Sequence, residues 1–396
     1  MKRHDVIKSR AELYRAELTQ QVIPFWSQHS VDWEQGGYFT CLDPTGQVYD
    51  TDKFIWLQCR QVWWYSKAFG DLKADESFLR IAENGAQFLE TYGHLEDDWY
   101  FSLTRAGKPL VQPYNIFSNV FAAMAFAKLG LVTANEKYQE IALRTFQRVL
   151  ARKDNPKGIY NKAFPETRPL KNFALPMILC NLSQEMAPLL DKAAVEATLD
   201  QAIEEVFHDF YWSEKGLLLE HVTPNGKFSD SYDGRLLNPG HAIEAMWFVM
   251  DVAASRNDQM LMEKAVRIVL DTLNYGWDEE YGGIFYFMDA LEKPLQQLEW
   301  DQKLWWVHLE TLISLAKGYQ YTQNEACLTW FEKVHAYTWS HFRDTEHGGE
   351  WFGYLNRQGQ VLMPLKGGKW KGCFHVPRAL FEISRTLDAI YKDMSK

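Results

Sequence analysis

Residues 281–287 read YGGIFYF and residues 347–355 read HGGEWFGYL. Each is a glycine pair running into a short aromatic-rich stretch, the pattern of a tight turn that feeds a short strand. Related clusters recur as GGYF at 36–39, DDWYF at 97–101, KGIY at 157–160 and KGLL at 215–218. With anchors at 36, 98, 158, 216, 282 and 348, the spacings are 62, 60, 58, 66 and 66 residues. Most clusters are followed by a polar turn containing glycine: DPTGQ at 43–47, TRAGK at 104–108, TPNGK at 223–227 and NRQGQ at 356–360. Every unit is therefore expected to carry a small hairpin.

Between clusters the apolar residues follow helical spacing. In VFAAMAFAKLG, Val120, Met124 and Ala127 line one stripe, which Phe121 and Ala125 broaden. A unit thus reads as helix, hairpin loop, helix. A helical pair cannot bury both of its faces alone and has to stack on its neighbours. Six units supply twelve helices, and with no polar capping repeat at either end the ring is expected to close. The expectation is an all-α (α/α)6 barrel forming a single domain over 1–396, with six inner and six outer helices. The short β-hairpin loops gather at one end, each leading into an inner helix, and a site belongs there.

Composition narrows the function. A formal net charge of −10 argues against a nucleic-acid or anionic-membrane face. No run of about 18 apolar residues occurs and the N-terminus has no apolar signal core, so a soluble cytoplasmic protein is expected. Aromatic residues make up 15% of the chain, including Trp 16 and Tyr 19, and their flat faces and polar edges suit sugar-sized sites as well as cores. Five cysteines are scattered without a C-x-x-C pair, which excludes a disulfide scaffold or zinc ribbon. Cys373 precedes His375 by two residues, but a small buried thiol is favoured over a Cys/His nucleophile.

Polar residues embedded in the starts of the inner helices carry the chemical signal. They are Arg60, Asn115, Lys171, His241, Glu244, Glu310, His375 and Arg378. His241 and Glu244 are three apart, so they share a helical face, where the carboxylate can hold the imidazole or bind substrate. His375 lies in KGGKWKGCFHVPRA, residues 366–379, among Lys366, Lys369, Lys371 and Arg378. Those cations and the helix N-terminus disfavour imidazolium and keep the ring available as a base. His375 follows His241 by two repeats, about a third of a turn around a six-membered ring, so both rings can face one axis. Two bases on opposite faces of a substrate carbon suit proton removal next to a carbonyl and redelivery with inversion. Arg60, Lys162 of NKAFP and Arg378 are the candidates to stabilise the resulting enediolate.

At the level of motifs, YDTDKFIWLQCRQVWWYSK, LVQPYNIFSNVFAAMAF, RKDNPKGIYNKAFP, RLLNPGHAIEAMWF, QQLEWDQKLWWVHLETL and GGKWKGCFHVPRAL resemble the N-acylglucosamine 2-epimerases, the family that includes the renin-binding proteins. The resemblance spans about residues 10–390. It implies the same barrel, interconversion of N-acetylglucosamine and N-acetylmannosamine as a step toward sialic acid, and catalytic histidines at His241 and His375. It places Arg60, Lys162, Glu244, Glu310 and Arg378 at positions of activity or substrate contact; Asn115, by its place at the start of an inner helix, is expected to bind substrate as well. It further implies ATP as an allosteric activator that is not hydrolysed, and a homodimer. GGKWKG is not a P-loop, so a nucleotide needs another pocket, and RKDNPKGIYNK at 152–162 is the basic candidate.

Other readings remain. An aldose-ketose isomerase would use the same histidines with reprotonation at a different carbon. A glycoside hydrolase would pair Glu310 with Asp301 or Glu244, which leaves both histidines unexplained. A metal centre lacks an H-E-x-x-H motif and a second ligand cluster, so no metal is expected. No cofactor is expected for the chemistry. A sugar- or protein-binding module without catalysis would not need the full set of polar residues.

Overall fold

In the computed structural model, which describes residues 3–164 and 166–395, α1 (Arg3–Glu17) continues through a π turn at Leu18–Val22 into α2 (Ile23–His29). Five helical pairs follow: α3 (Ile55–Lys67) with α4 (Glu76–Tyr92), α5 (Phe117–Thr133) with α6 (Glu136–Arg152), α7 (Ala174–Met186) with α8 (Lys192–Glu205), α9 (Pro239–Arg256) with α10 (Gln259–Gly276), and α11 (Trp305–Thr322) with α12 (Glu325–His341). The last helix, α13 (His375–Met394), packs against α1. The odd-numbered helices from α3 to α13 form the inner ring, each touching the next. The ring closes between α13 and α3 through Trp64 against Phe381, Trp63 against Phe374, and a Lys67–Glu382 ion pair of 3.4 Å. This is the (α/α)6 barrel expected from the repeat.

Sequence explains which helix goes where. Inner helix α11 is buried from Trp305 through Tyr319, the all-round burial of a helix with no solvent face. Outer helix α6 buries one stripe, Tyr138, Ala142, Thr145, Phe146, Val149 and Arg152, and leaves the other residues exposed or half-buried. Three inner-to-outer corners share one design. Ala134, Asn257 and Gln323 each turn into the left-handed region with φ of 52°, 52° and 54°, and an Asx residue then caps the outer helix. Left-handed backbone stops one helix and the Asn135, Asp258 or Asn324 side chain starts the next. Such two-residue corners lie at one end of the barrel, and the long connections lie at the other.

Those long connections carry the strands, with two departures from a set of purely local hairpins. First, the strand entering an inner helix pairs with the hairpin of a different unit: Lys53 opposite Leu103, Lys171 opposite Val222, Leu237 opposite Met288 and Leu304 opposite Tyr354. The strands therefore stitch neighbouring units together. Second, the KGIY cluster forms a 3-10 turn at Gly158–Tyr160 instead of a hairpin. Pro156 and Pro169 remove ladder donors from that connection.

A motif finer than the glycine clusters also repeats. DWEQGG at 32–37, DEEYGG at 278–283 and DTEHGG at 344–349 share the form D-x-E-x-G-G. In each, the aspartate takes a buried lysine: Lys53 on Asp32 at 3.0 Å, Lys303 on Asp278 at 3.1 Å and Lys366 on Asp344 at 2.7 Å. Both central glycines have positive φ in all three turns. At Gly283 an added Cβ would also meet the Tyr337 ring at 2.6 Å, so the turn needs glycine on both counts. Among the described residues no helix is long and apolar enough to cross a membrane.

Candidate active site

His241 stands in the first turn of α9. Asn238 caps that helix by accepting the His241 backbone N–H at 3.1 Å, and Pro239 occupies the first turn where a missing N–H costs little. Gly240 lets α11 come close, since a Cβ there would sit 2.7 Å from Trp306 and Val307. The His241 ring accordingly lies against Trp306, with ring centres 5.3 Å apart. His375, the first residue of α13, touches the same indole at 5.9 Å. Trp306 thus bridges the two imidazoles from the helix that separates them, which places both at one end of the barrel axis.

Each imidazole is held by a carboxylate through Nδ1. For His375 the partner is Glu310, Oε1 to Nδ1 2.8 Å. For His241 it is Glu220, with both oxygens at 3.0 and 3.1 Å. A carboxylate accepts, so each ring carries its neutral-state proton on Nδ1 and presents Nε2 for proton transfer. Glu244 does not bond its helical neighbour His241: its Oε1 receives Arg378 Nη2 at 2.6 Å. Arg378 Nη2 also donates to Glu310 Oε1 at 2.6 Å, and Trp247 Nε1 donates to Glu310 Oε2 at 2.9 Å. Glu244, Glu310, His375 and Arg378 form one buried cluster.

Ligand-type atoms of Glu244, Glu310 and His375 converge within 4.8 Å. The cation bound between the two carboxylates is the Arg378 guanidinium itself. Arg60 completes the His375 surroundings, its Nη1 lying 3.4 Å from Nε2. Its guanidinium is stacked among Trp56, Phe121 and Phe374 at 4.5, 4.0 and 4.4 Å, and among the described residues no carboxylate pairs with it. Burial, then the nearby Arg378, push Arg60 down to about 9. An unshared guanidinium beside a basic nitrogen is a ready partner for an oxyanion.

The electrostatics pull the two imidazoles apart. Burial, then Arg60 and Arg378, hold His375 well below its usual range. Burial also disfavours the charged form of His241, but the charge and hydrogen bond of Glu220, with Glu244 behind it, outweigh that penalty and raise its proton affinity. Two titratable groups driven in opposite directions mark an acid and a base. The cations expected around His375 are only partly those of its own turn. Lys366 folds back onto Asp344, Lys371 onto Glu350 at 2.6 Å, and Lys369 is exposed. Lys371 still acts on His375 from that turn, behind burial, Arg60 from across the ring closure, and Arg378.

Other residues singled out from sequence fall elsewhere. Asn115 accepts the backbone N–H of Phe117 at 3.0 Å and shapes the entry of α5. Lys162 is exposed on the proline-rich connection, outside the buried cluster. Lys171 pairs with Glu205 and Asp209. Within the basic stretch 152–162, Arg152 is engaged by Asp98 at 2.7 Å and Lys153 by Gln201 at 3.0 Å. The Cys373 thiol is buried and pushed well up, chiefly by that burial, so it is not a nucleophile for His375. Three residues of the cluster were not singled out: Glu220, Trp247 and Trp306. The one visible signal was a glutamate closing the apolar run LLLE at 217–220.

An (α/α)6 barrel with two carboxylate-held imidazoles at its axis defines the class: an isomerase of the carbohydrate 2-epimerase type. The chain belongs to the N-acylglucosamine 2-epimerase family, whose model, described as N-acylglucosamine 2-epimerase (GlcNAc 2-epimerase), matches residues 37–379. It is 38% identical over 387 residues to N-acylglucosamine 2-epimerase of Bos taurus, covering 96% of this chain and 91% of the relative. Among solved structures it is similar to cellobiose 2-epimerase from Spirochaeta thermophila DSM 6192, with TM-score 0.81, 20% identity and 98% of both chains covered. D-mannose isomerase has the same fold at TM-score 0.81 and 15% identity, with 95% of this chain and 98% of that one covered.

Proposed function

We propose that this chain interconverts N-acetyl-D-glucosamine and N-acetyl-D-mannosamine by proton transfer at C2 between substrate and the His241–His375 pair. The observation that carries the reading is the shared contact of both imidazoles with Trp306, each ring tied at Nδ1 and presenting Nε2. The activity named for the bovine relative supplies the substrate. After the pyranose opens, His375 Nε2 takes the C2 proton of N-acetylglucosamine; in the reverse direction the two histidines exchange roles. The C–H electron pair becomes the C1=C2 bond and the carbonyl electrons move to O1. Because C2 of this sugar bears nitrogen, the intermediate is an enolate at O1; an enediolate would form only from a 2-hydroxy sugar. Arg60 is placed to bind that oxygen. His241 returns a proton to the opposite face of C2, which inverts the centre.

Incubation with N-acetylglucosamine in deuterated water, followed by NMR, tests this. Deuterium at C2 together with the manno epimer is expected. A ketose product would instead support aldose-ketose isomerisation, and a folded sample with no exchange would sink both. Activation by ATP without hydrolysis, a homodimer, a cytoplasmic location and a role in supplying sialic acid precursors belong to the same reading and are supported by family membership. Rates with and without ATP and sedimentation of the purified chain check the first two.

A further inference from the structure

Glu220 lies outside the helices, just after the short strand Leu217–Leu218. We propose that Glu220 is a positioning residue for the epimerisation: it fixes the tautomer of His241 and makes His241 the member of the pair that enters the reaction carrying a proton. This rests on the two-histidine reading above.

Glu220 is held from three sides. Its backbone N–H donates to Leu236 O at 3.0 Å, its carbonyl accepts the Phe173 N–H at 2.9 Å, and its carboxylate spans His241 Nδ1 with both oxygens. The first bond ties it to the strand that enters α9, the second to the start of α7. The side chain is buried and the backbone on either side is fixed, so the carboxylate meets His241 without having to be recruited from solvent.

Comparison with His375 shows what the arrangement does. Both histidines have a glutamate on Nδ1, yet their proton affinities move in opposite directions. The Glu310 charge is shared with Arg378 at 2.6 Å, and Arg60 stands 3.4 Å from the far nitrogen of His375. Among the described residues no lysine or arginine pairs with Glu220. The groups facing His241 are Glu220 from the hairpin, Glu244 one turn along its own helix, and the neutral Trp306 from α11; the Glu244 charge is turned toward Arg378. An unshared carboxylate favours imidazolium, and a shared one flanked by guanidinium groups does not. The same local device thus yields an acid on α9 and a base on α13.

Glu220→Gln separates charge from position. The amide oxygen still accepts from Nδ1–H, but the charge is gone. Histidine-labelled protein, titrated by NMR and assigned with a His241→Asn control, is expected to show His241 losing its proton at a pH at least one unit lower than in the unsubstituted chain. The alkaline limb of the epimerisation profile should move with it, leaving the rate above that limb about tenfold lower. Glu220→Asp keeps the charge and is expected to retain most of the limb position at reduced rate; it also serves if the glutamine variant does not fold. An epimerising parent whose His241 titration and alkaline limb are both unmoved by Glu220→Gln, or a folded Glu220→Asp that behaves like alanine at this position, overturns the proposal. Failure of the parent to exchange C2 would strike the two-histidine reading instead, and the NMR titration would still decide what Glu220 does to His241.

Discussion

Arg378 and Glu310 meet at 2.6 Å, on the same glutamate oxygen that lies 2.8 Å from Nδ1 of His375. One oxygen thereby answers to both a permanent cation and a titratable ring. Burial, then Arg60 and Arg378, hold His375 well below its usual range even with a carboxylate in contact. Geometry alone would have assigned the opposite behaviour to a buried Glu–His pair.

Replacing Arg378 by methionine removes the shared cation and leaves Glu244 and Glu310 buried without it. Loss of one side of a buried charge pair costs about 3–5 kcal/mol, so the variant should unfold at distinctly lower urea concentration. The proton affinity of His375 rises at the same time, because a repelling charge has gone and Glu310 is released. The acid limb of the rate profile is then expected to shift to higher pH. A variant of unchanged stability and unchanged acid limb would show that Arg378 does not set the state of His375.

The parent rate profile follows from the two directions. His375 must be neutral to accept the C2 proton, and its proton affinity is depressed, so the acid limb falls below the ordinary imidazole value of about 6.5. His241 must be protonated to donate, and its affinity is raised, so the alkaline limb lies above about 6.5. A broad plateau across neutrality is expected in kcat/KM measured from acid to alkaline pH. The limbs belong to the coupled pair as macroscopic values. A narrow peak at about 6.5 with steep loss on both sides would contradict the assignment.

Much of this site was legible in the chain, and the residues that were not share one cause. The clusters revealed the repeat because a positive φ recurs at the same step, taken by glycine in five of the six clusters and by Glu96 just ahead of DDWYF. His241, Glu244, Glu310, His375 and Arg378 stood out because charge is costly inside an apolar helix. Partnership was the hidden quantity. Glu244 faces His241 by helical spacing but bonds Arg378, 134 residues away, and His241 finds Glu220 through a strand that pairing brings back. Lys366 and Lys371 pair with Asp344 and Glu350, so Lys371 acts on His375 less than Arg60 and Arg378 do. Pairing between units likewise left no mark on two-residue strands, whose sequence pattern is too short to fix a register.

Arg60 is expected to matter for rate far more than for folding. Among the described residues it has no carboxylate to strand, and its contacts are the faces of Trp56, Phe121 and Phe374 and, at 3.4 Å, His375 Nε2. Arg60→Met should cost on the order of 10²–10³ in kcat, the effect of losing an oxyanion donor. The stability change should stay within about 2 kcal/mol, the range of the cation–aromatic contacts. Arg60→Lys keeps a charge without the flat fork and should recover part of the rate. Full activity in the methionine variant would remove Arg60 from the chemistry.

The D-x-E-x-G-G turns predict how the barrel responds to acid. Burial alone would raise the Asp278 carboxyl, but Arg357 and then Lys303 outweigh it and hold it at about 2, below its usual 3.8. A carboxylate depressed in the folded state contributes stability above the unfolded value, and that contribution disappears as pH falls from about 4 toward 2. The size is about 2 kcal/mol for one such aspartate. Asp32, held low by Arg105 and Lys53 against its burial, adds to the same acid limb. Asp278→Asn strands Lys303, which is fully buried and, chiefly through that burial, already pushed down to about 8. The variant should lose about 3 kcal/mol at neutral pH, and less at pH 10, where Lys303 sheds its proton. Chemical unfolding at pH 3, 7 and 10 checks the signs: an Asp278→Asn deficit that grows at pH 10 would mean that Lys303 is not the group left unpaired.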